Sequence, residues 1–205
     1  KDHAALAYNR AGYGRSDVPT APRAGEQVVA ELRALLKAQQ LAPPYVLVGH
    51  SLGGLYMQLY ARQHPEEVQA LILVDSTHPE QLRGKGAQSQ WPAWVRVGFN
   101  LMSSEVAKQE LDGLDATGQQ VLGLPAPTGV RVWVLSALRP MQERSTLADD
   151  ANEKRIALAA LYPGAKQIWV DSGHGIPLER PETVVSAVRE ALGSASAASA
   201  TQPTR

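Results

Sequence analysis

One short stretch constrains the fold of this chain more than any other. The apolar run Tyr45-Val46-Leu47-Val48 leads into Gly49-His50-Ser51-Leu52-Gly53, and the helical pattern Leu55-Tyr56-Met57-Gln58-Leu59-Tyr60 follows at once. A strand that turns this sharply into a helix crowds the backbone around Ser51. Glycines two residues before and two after are expected to permit the close approach, leaving the hydroxyl exposed above the sheet edge. The positive end of the following helix would face any oxyanion formed there. Strand, Gly-x-Ser-x-Gly, helix is the arrangement of a nucleophile elbow.

A second anchor lies far downstream. Gln167-Ile168-Trp169-Val170 reads as a short buried strand, and Asp171-Ser172-Gly173-His174-Gly175-Ile176-Pro177 as the loop after it. Pro181-Glu182 then opens a helix with Val184, Val185, Val188 and Leu192 on one face and Gly193 as its stop. A histidine on a loop at a strand's C-terminal end can reach across the sheet to a serine carried by another strand. Serine before histidine in chain order differs from the chymotrypsin and subtilisin orders.

With these motifs the chain resembles the α/β-hydrolase superfamily, in its esterase-like branch, over roughly residues 4–192. The matching segments are Asn9-Arg10-Ala11-Gly12-Tyr13-Gly14-Arg15-Ser16-Asp17, Val48-Gly49-His50-Ser51-Leu52-Gly53-Gly54, Leu71-Ile72-Leu73-Val74-Asp75 and Ser172-Gly173-His174. In the family these are the loop after the fourth strand, the elbow, the sixth strand with its terminal acid, and the catalytic histidine. The implied fold is α/β, a mostly parallel sheet flanked by helices, with a helical lid between the sixth and seventh strands. Ala4-Ala5-Leu6-Ala7-Tyr8 resembles the fourth strand, so the family's first three strands are absent from this sequence. Either the fourth strand pairs directly with the fifth, or the sequence is a piece of a longer chain. The resemblance also implies Ser51 as nucleophile, His174 as base and the Leu52 backbone N–H as an oxyanion donor. The second donor, usually on a His-Gly loop after the third strand, has no counterpart here, and Gly12-Tyr13-Gly14 is the segment that could line the site instead.

The acid of the triad is open at this level. Many members carry it just after the seventh strand, here Arg131-Val132-Trp133-Val134-Leu135, but Ser136-Ala137-Leu138-Arg139-Pro140 contains no carboxylate. Others take it from the end of the sixth strand, where Asp75 stands, at the sheet edge where such folds bind ligands. Asp75 is the leading candidate, with Glu143, Asp149 and Asp150 as alternatives; Asp171 is too close to His174 in sequence to orient it. An amide at Asp75 is expected to remove turnover and leave the fold intact.

The other histidines read as structural. His50 is expected to pack or bond locally, His64 to finish a helix before Pro65, and His78 to lie in a surface loop, with a place in the pocket lining as the alternative. No pair has zinc-site spacing with a third ligand, so no metal is expected. The resemblance implies no cofactor.

Alternating strands and helices fit a parallel sheet covered on both faces, with Val28, Val29, Leu32, Leu35 and Leu36 packing beneath it. Residues 1–76 and 129–193 are expected to form the core, 77–128 a helical cap, and 194–205 a tail without fixed structure. Trp91, Trp94 and Phe99 in the cap are candidates for contact with an apolar acyl or alcohol group; equally, they could glue cap to core. With 205 residues, 44% of them hydrophobic, the chain suits one domain. Twenty basic and twenty acidic residues cancel, which gives no reason to expect a nucleic-acid partner. There is no cysteine and no apolar run of membrane-spanning length.

The expected substrate is a small or medium carboxylic ester. Thioesters, lactones and amides pass through the same type of intermediate and stay open, including an aminopeptidase using Glu105, Glu110 or Asp112. Ser51 separates the chain from the dehalogenase and epoxide-hydrolase branches, which attack with a carboxylate. A non-catalytic binding protein on the same fold is the alternative from another class.

Overall fold

In the computed structural model, which describes residues 3–139, 141 and 144–199, four strands form one parallel sheet in sequential order. They are β1 (Tyr45–His50), β2 (Val68–Val74), β3 (Arg131–Ala137) and β4 (Lys166–Val170). Eight α-helices accompany them in the described residues. Helix α1 (Gly25–Ala38) precedes β1, and α2 (Leu52–Gln63) joins β1 to β2. Between β2 and β3 the chain is helical throughout its regular parts: α3 (Ala93–Met102), α4 (Glu105–Asp112) and α5 (Leu114–Gly123). Helix α6 (Thr146–Ala157) leads to β4, and α7 (Ile176–Glu179) and α8 (Pro181–Ser199) follow it.

Because side chains alternate along a strand, the two inner strands feed two separate cores. Leu71, Leu73, Val132 and Val134 face one layer, where they meet Val28, Val29, Leu32 and Leu36 of α1 and Leu55 and Leu59 of α2. Ala70, Ile72, Val74, Trp133, Leu135 and Ala137 face the other, against Ile176, Ala187 and Ala191. Both faces being covered, β2 and β3 are almost wholly apolar, the composition that marks buried parallel strands. Helix α5 also enters the first layer through Val121, whereas α3 has no buried residue. No helix among the described residues is long and apolar enough to cross a membrane.

Three expectations change. Residues 4–8 form no strand, because no partner lies alongside to supply a ladder, and most of them are exposed. Helix α8 continues through Gly193 to Ser199; lengthening an existing helix adds a bond per residue, which outweighs a glycine's cost of about 1 kcal/mol. Its inner face carries Val184, Ala187, Val188 and Ala191, while Val185 is turned outward.

Candidate active site

Ser51 follows β1 directly and caps α2 with φ 53° and ψ −129°, a backbone conformation that L side chains rarely adopt. Such strain, about 1–3 kcal/mol per residue, persists only where surrounding bonds impose it. Here they are main-chain bonds: the Ser51 N–H donates to Val74 O at 3.2 Å, and its carbonyl accepts from Gly54 N at 2.9 Å and Thr77 N at 3.0 Å. The elbow is thereby tied to the end of β2.

The glycine requirement differs from the expected one. A Cβ on Gly49 would lie 2.6 Å from Gly54 Cα, and one on Gly54 would collide with the Ser76 side chain, but Gly53 has nothing within 4 Å. The tight packing is thus between Gly49 and Gly54. Gly54→Ala is expected to cost about 1–3 kcal/mol and Gly53→Ala to be neutral or to stabilise by up to about 1 kcal/mol, as urea unfolding would measure. Equal costs would refute this account of the turn.

Asp75 follows β2 directly. Its φ of 39° is also positive, and its N–H donates to Leu135 O at 2.7 Å. The side chain is fully buried, and its Oδ2 meets His174 Nδ1 at 2.6 Å. Oδ1 accepts from Ala137 N at 3.1 Å and from Arg155 Nε at 2.8 Å. Burial works to raise the pKa of this carboxyl, but the bonds from His174 and Ala137 and the charge of Arg155 outweigh it and hold the value below the ordinary one. A carboxylate favoured in the folded state stabilises fully above its unfolded pKa of about 3.9, and that contribution is lost as pH falls through the depressed folded value. Wild-type stability should therefore fall more steeply below about pH 4 than that of Asp75→Asn, in thermal melts compared across pH. Parallel curves would show that Asp75 carries no such linkage.

His174 sits on the loop between β4 and α7, with its side chain half exposed. The loop is held by Glu179, whose carboxylate accepts from Gly173 N at 3.1 Å and from Arg139 at 2.7 Å. The His174 carbonyl bonds His50 Nε2 at 2.8 Å, and the two imidazoles lie 4.7 Å apart by ring centroids. His50 thus bonds across the sheet edge rather than locally, and it sets the His174 loop beside the elbow. With Nδ1 bonded to Asp75, Nε2 of His174 is the nitrogen available for proton transfer. Among the described residues the Ser51 hydroxyl has no hydrogen-bond partner; such bonds often tighten only in the substrate complex. Leu52 is the first residue of α2, so its N–H has no acceptor within the helix.

Among the described residues, the other candidate acids do not meet His174. Asp150 is paired with Lys154 at 2.6 Å, Asp149 lies in the first turn of α6, and Asp171 faces Arg139 and Arg180. Glu143 falls outside the described residues. His78, expected on a surface loop, is buried, with Nδ1 accepting from Glu80 N at 3.1 Å; burial lowers its pKa. Tyr13 turns its hydroxyl to Glu110, which also takes two bonds from Arg10. Sequence reasoning missed Arg155, Glu179 and Gln58. The last is wholly buried, donating to Ser76 Oγ and Thr77 O and accepting from Tyr162, so it locks α2 to the residues after Asp75.

Trp91 and Phe99 stack edge-to-face at 6.2 Å and line a cavity of about 190 Å³ with Arg96, Asn100 and Leu111, while Trp94 is largely exposed. Neither Ser51 nor His174 lines that cavity. A hollow of about 460 Å³ near Arg33, Arg62 and His64 is also remote from the reactive groups, at the opposite end of α2 from Ser51. There, among the described residues, His64, Glu66 and Glu67 could approach one metal ion, but Glu67 is already bonded to Arg33 and Tyr60.

The structure joins a histidine to a buried carboxylate, and it bonds the carbonyl of that histidine to His50, the residue before a strained serine at a helix N-terminus. The sequence model of the alpha/beta hydrolase fold matches residues 1–110, just over half the chain. The chain belongs to the α/β-hydrolase family. An uncharacterized Bacillus subtilis protein, YbdG, is 25% identical over 224 residues, covering 90% of this chain and 69% of the relative. A mouse (lyso)-N-acylphosphatidylethanolamine lipase is 35% identical over 97 residues, 42% of this chain and 26% of that protein. An uncharacterized vacuolar membrane protein of Saccharomyces cerevisiae (strain YJM789) is 40% identical over 76 residues, and the match spans 12% of its length. Among solved structures, an α/β hydrolase fold protein of Burkholderia ambifaria superposes with TM-score 0.61 at 17% identity, over 89% of this chain and 78% of that one. A thermophilic esterase of Thermogutta terrifontis gives 0.57 at 21% identity, over 91% and 78%. These likenesses concern the fold; what an α/β-hydrolase does is decided at its site.

Proposed function

We propose that this α/β-hydrolase is a serine hydrolase that cleaves a small or medium carboxylic ester through an acyl-enzyme on Ser51. The observation that carries the reading is the 2.6 Å bond between His174 Nδ1 and the buried Asp75, on a loop bonded to the residue beside Ser51. His174 Nε2 takes the Ser51 proton as Oγ attacks the ester carbonyl, and Asp75 stabilises the imidazolium. The Leu52 N–H donates to the oxyanion, a contact whose loss costs serine hydrolases about 100- to 1,000-fold in rate. His174 then protonates the departing alcohol, and water repeats the cycle on the acyl-enzyme. None of these steps calls on a metal or cofactor.

The segment 77–128 is the cover of the site, and Trp91, Trp94 and Phe99 offer apolar surface for the acyl or alcohol group. An ester is favoured over an amino-terminal peptide because two of the three cap carboxylates that could hold an amine, Glu110 and Glu105, are already paired, with Arg10 and Lys108, which leaves Asp112 alone of the three at the cap cavity. The esterase and lipase names among the similar proteins agree with ester chemistry.

Fluorophosphonate labelling followed by peptide mapping tests the reading without knowledge of the substrate. An adduct on Ser51 that disappears in His174→Ala is expected. A folded chain that takes no label would instead be a binding protein on a hydrolase fold.

A further inference from the structure

The two oxygens of the Asp75 carboxylate have separate partners. Oδ2 faces His174, while Oδ1 accepts from Ala137 N and from Arg155 Nε. Arg155 belongs to α6 and is itself held: its Nη1 donates to Asn152 Oδ1 at 2.7 Å, three residues earlier on the same helix face. Asn152 is in turn bonded to both the N–H and the carbonyl of Met141, at 3.3 and 3.2 Å. A continuous set of bonds therefore runs from the segment after β3, through α6, to the carboxylate that meets His174.

We propose that Arg155 is the positioning residue of this site: it fixes the rotation of the Asp75 carboxylate so that Oδ2 points at His174, and it supplies a counter-charge beside the buried carboxylate. Rotation of a carboxylate about its last torsion is soft, and the main-chain donor from Ala137 alone leaves it one restraint. The guanidinium adds a second, charged donor on the same oxygen. It also answers an electrostatic need. A neutral imidazole gives a buried carboxylate no counter-charge, and Arg155, its side chain only 14% exposed, provides one in the resting protein. Placement on Oδ1 leaves Oδ2 free to receive the imidazolium when it forms. The charged or titratable groups facing Asp75 are His174 from the loop before α7 and Arg155 from α6; β3 contributes the Ala137 N–H.

The effect on rate rests on the proposed serine-hydrolase reading, but the effect on the carboxylate does not, so the two are measured separately. In the full chain labelled with carbon-13, the Asp75 carboxyl titration is followed by NMR in wild type, Arg155→Gln and Arg155→Lys. Loss of the charge should move the titration up by about one pH unit or more in Arg155→Gln, with most of the shift recovered in Arg155→Lys. Arg155→Met, which keeps the apolar stem, serves if the glutamine variant does not fold, with the same shift expected. An Asp75 titration unmoved in a folded charge-deleted variant overturns the proposal. In parallel, the rate of fluorophosphonate labelling should fall about tenfold in Arg155→Gln and recover partly in Arg155→Lys. Wild type that labels on Ser51, with no shift at Asp75 on removing the charge, would retain the hydrolase and refute the role of Arg155. A shift without any labelling would do the reverse.

Discussion

Replacing Ser51 with alanine should lower kcat/KM for a p-nitrophenyl ester by about a million-fold, to the residual set by binding and the oxyanion donor. The size follows from the way the groups act together: without Oγ, the imidazole and its carboxylate have nothing to activate. A second substitution separates chemistry from folding. Ser51 is held at φ 53°, where glycine is at no disadvantage. Ser51→Gly should therefore be equally inactive yet melt roughly 2–8 °C higher, since relieving a strain of about 1–2 kcal/mol shifts a chain of this size by that amount. Ester turnover surviving in Ser51→Ala would place the nucleophile elsewhere. A lower melting temperature in Ser51→Gly would mean that the turn is not strained.

Asp75→Asn should lower kcat by about ten-thousandfold with a smaller change in KM, because an amide no longer holds the imidazole in the tautomer that leaves Nε2 as base. On sequence alone this variant is expected to leave the fold intact. The contact with Arg155 changes that expectation. Neutralising Asp75 strands a guanidinium whose side chain is only 14% exposed, and breaking such a pair costs about 3 kcal/mol. The variant should melt several degrees lower as well as lose activity. Asp150→Asn is the control, since its Lys154 pair is separate from His174. A loss of this size in Glu143→Gln, with Asp75→Asn active, would move the acid to Glu143.

The four strands, the elbow with Ser51 and the loop with His174 could be read from the chain because each announces itself locally, whereas the acid stayed open among Asp75, Glu143, Asp149 and Asp150. Buried parallel strands are uninterrupted apolar runs, and Leu71-Ile72-Leu73-Val74 is one. The elbow and the histidine loop sit at fixed offsets from such runs. The misreadings come where an outcome depends on distant partners. Ala4-Ala5-Leu6-Ala7-Tyr8 has strand composition but no neighbour to pair with. Arg155, Asn152 and Gln58 look like ordinary polar positions on helices, since nothing in a helical period distinguishes a solvated arginine from one aimed at a carboxylate. His50 and His78 were misplaced for the same reason: their surroundings come from residues remote in the chain or from burial that local pattern does not encode.

The groups proposed to react are located mostly by main-chain bonds. Ser51 is tied to Val74 and Thr77, and Asp75 to Leu135 and Ala137, across three adjacent strands. A main-chain donor or acceptor survives every side-chain replacement, and a donor is lost only to proline. Mutational drift in the surrounding side chains, Arg155 apart, therefore leaves the backbone of Ser51 and Asp75 where it is. Helix α3, with no buried residue of its own, is the segment freest to accept such change. On the proposed reading of 77–128 as the cover of the site, Trp94, Val97 and Leu101 are the positions to randomise for new selectivity, with the elbow, Arg155 and the ends of β2 and β3 left untouched.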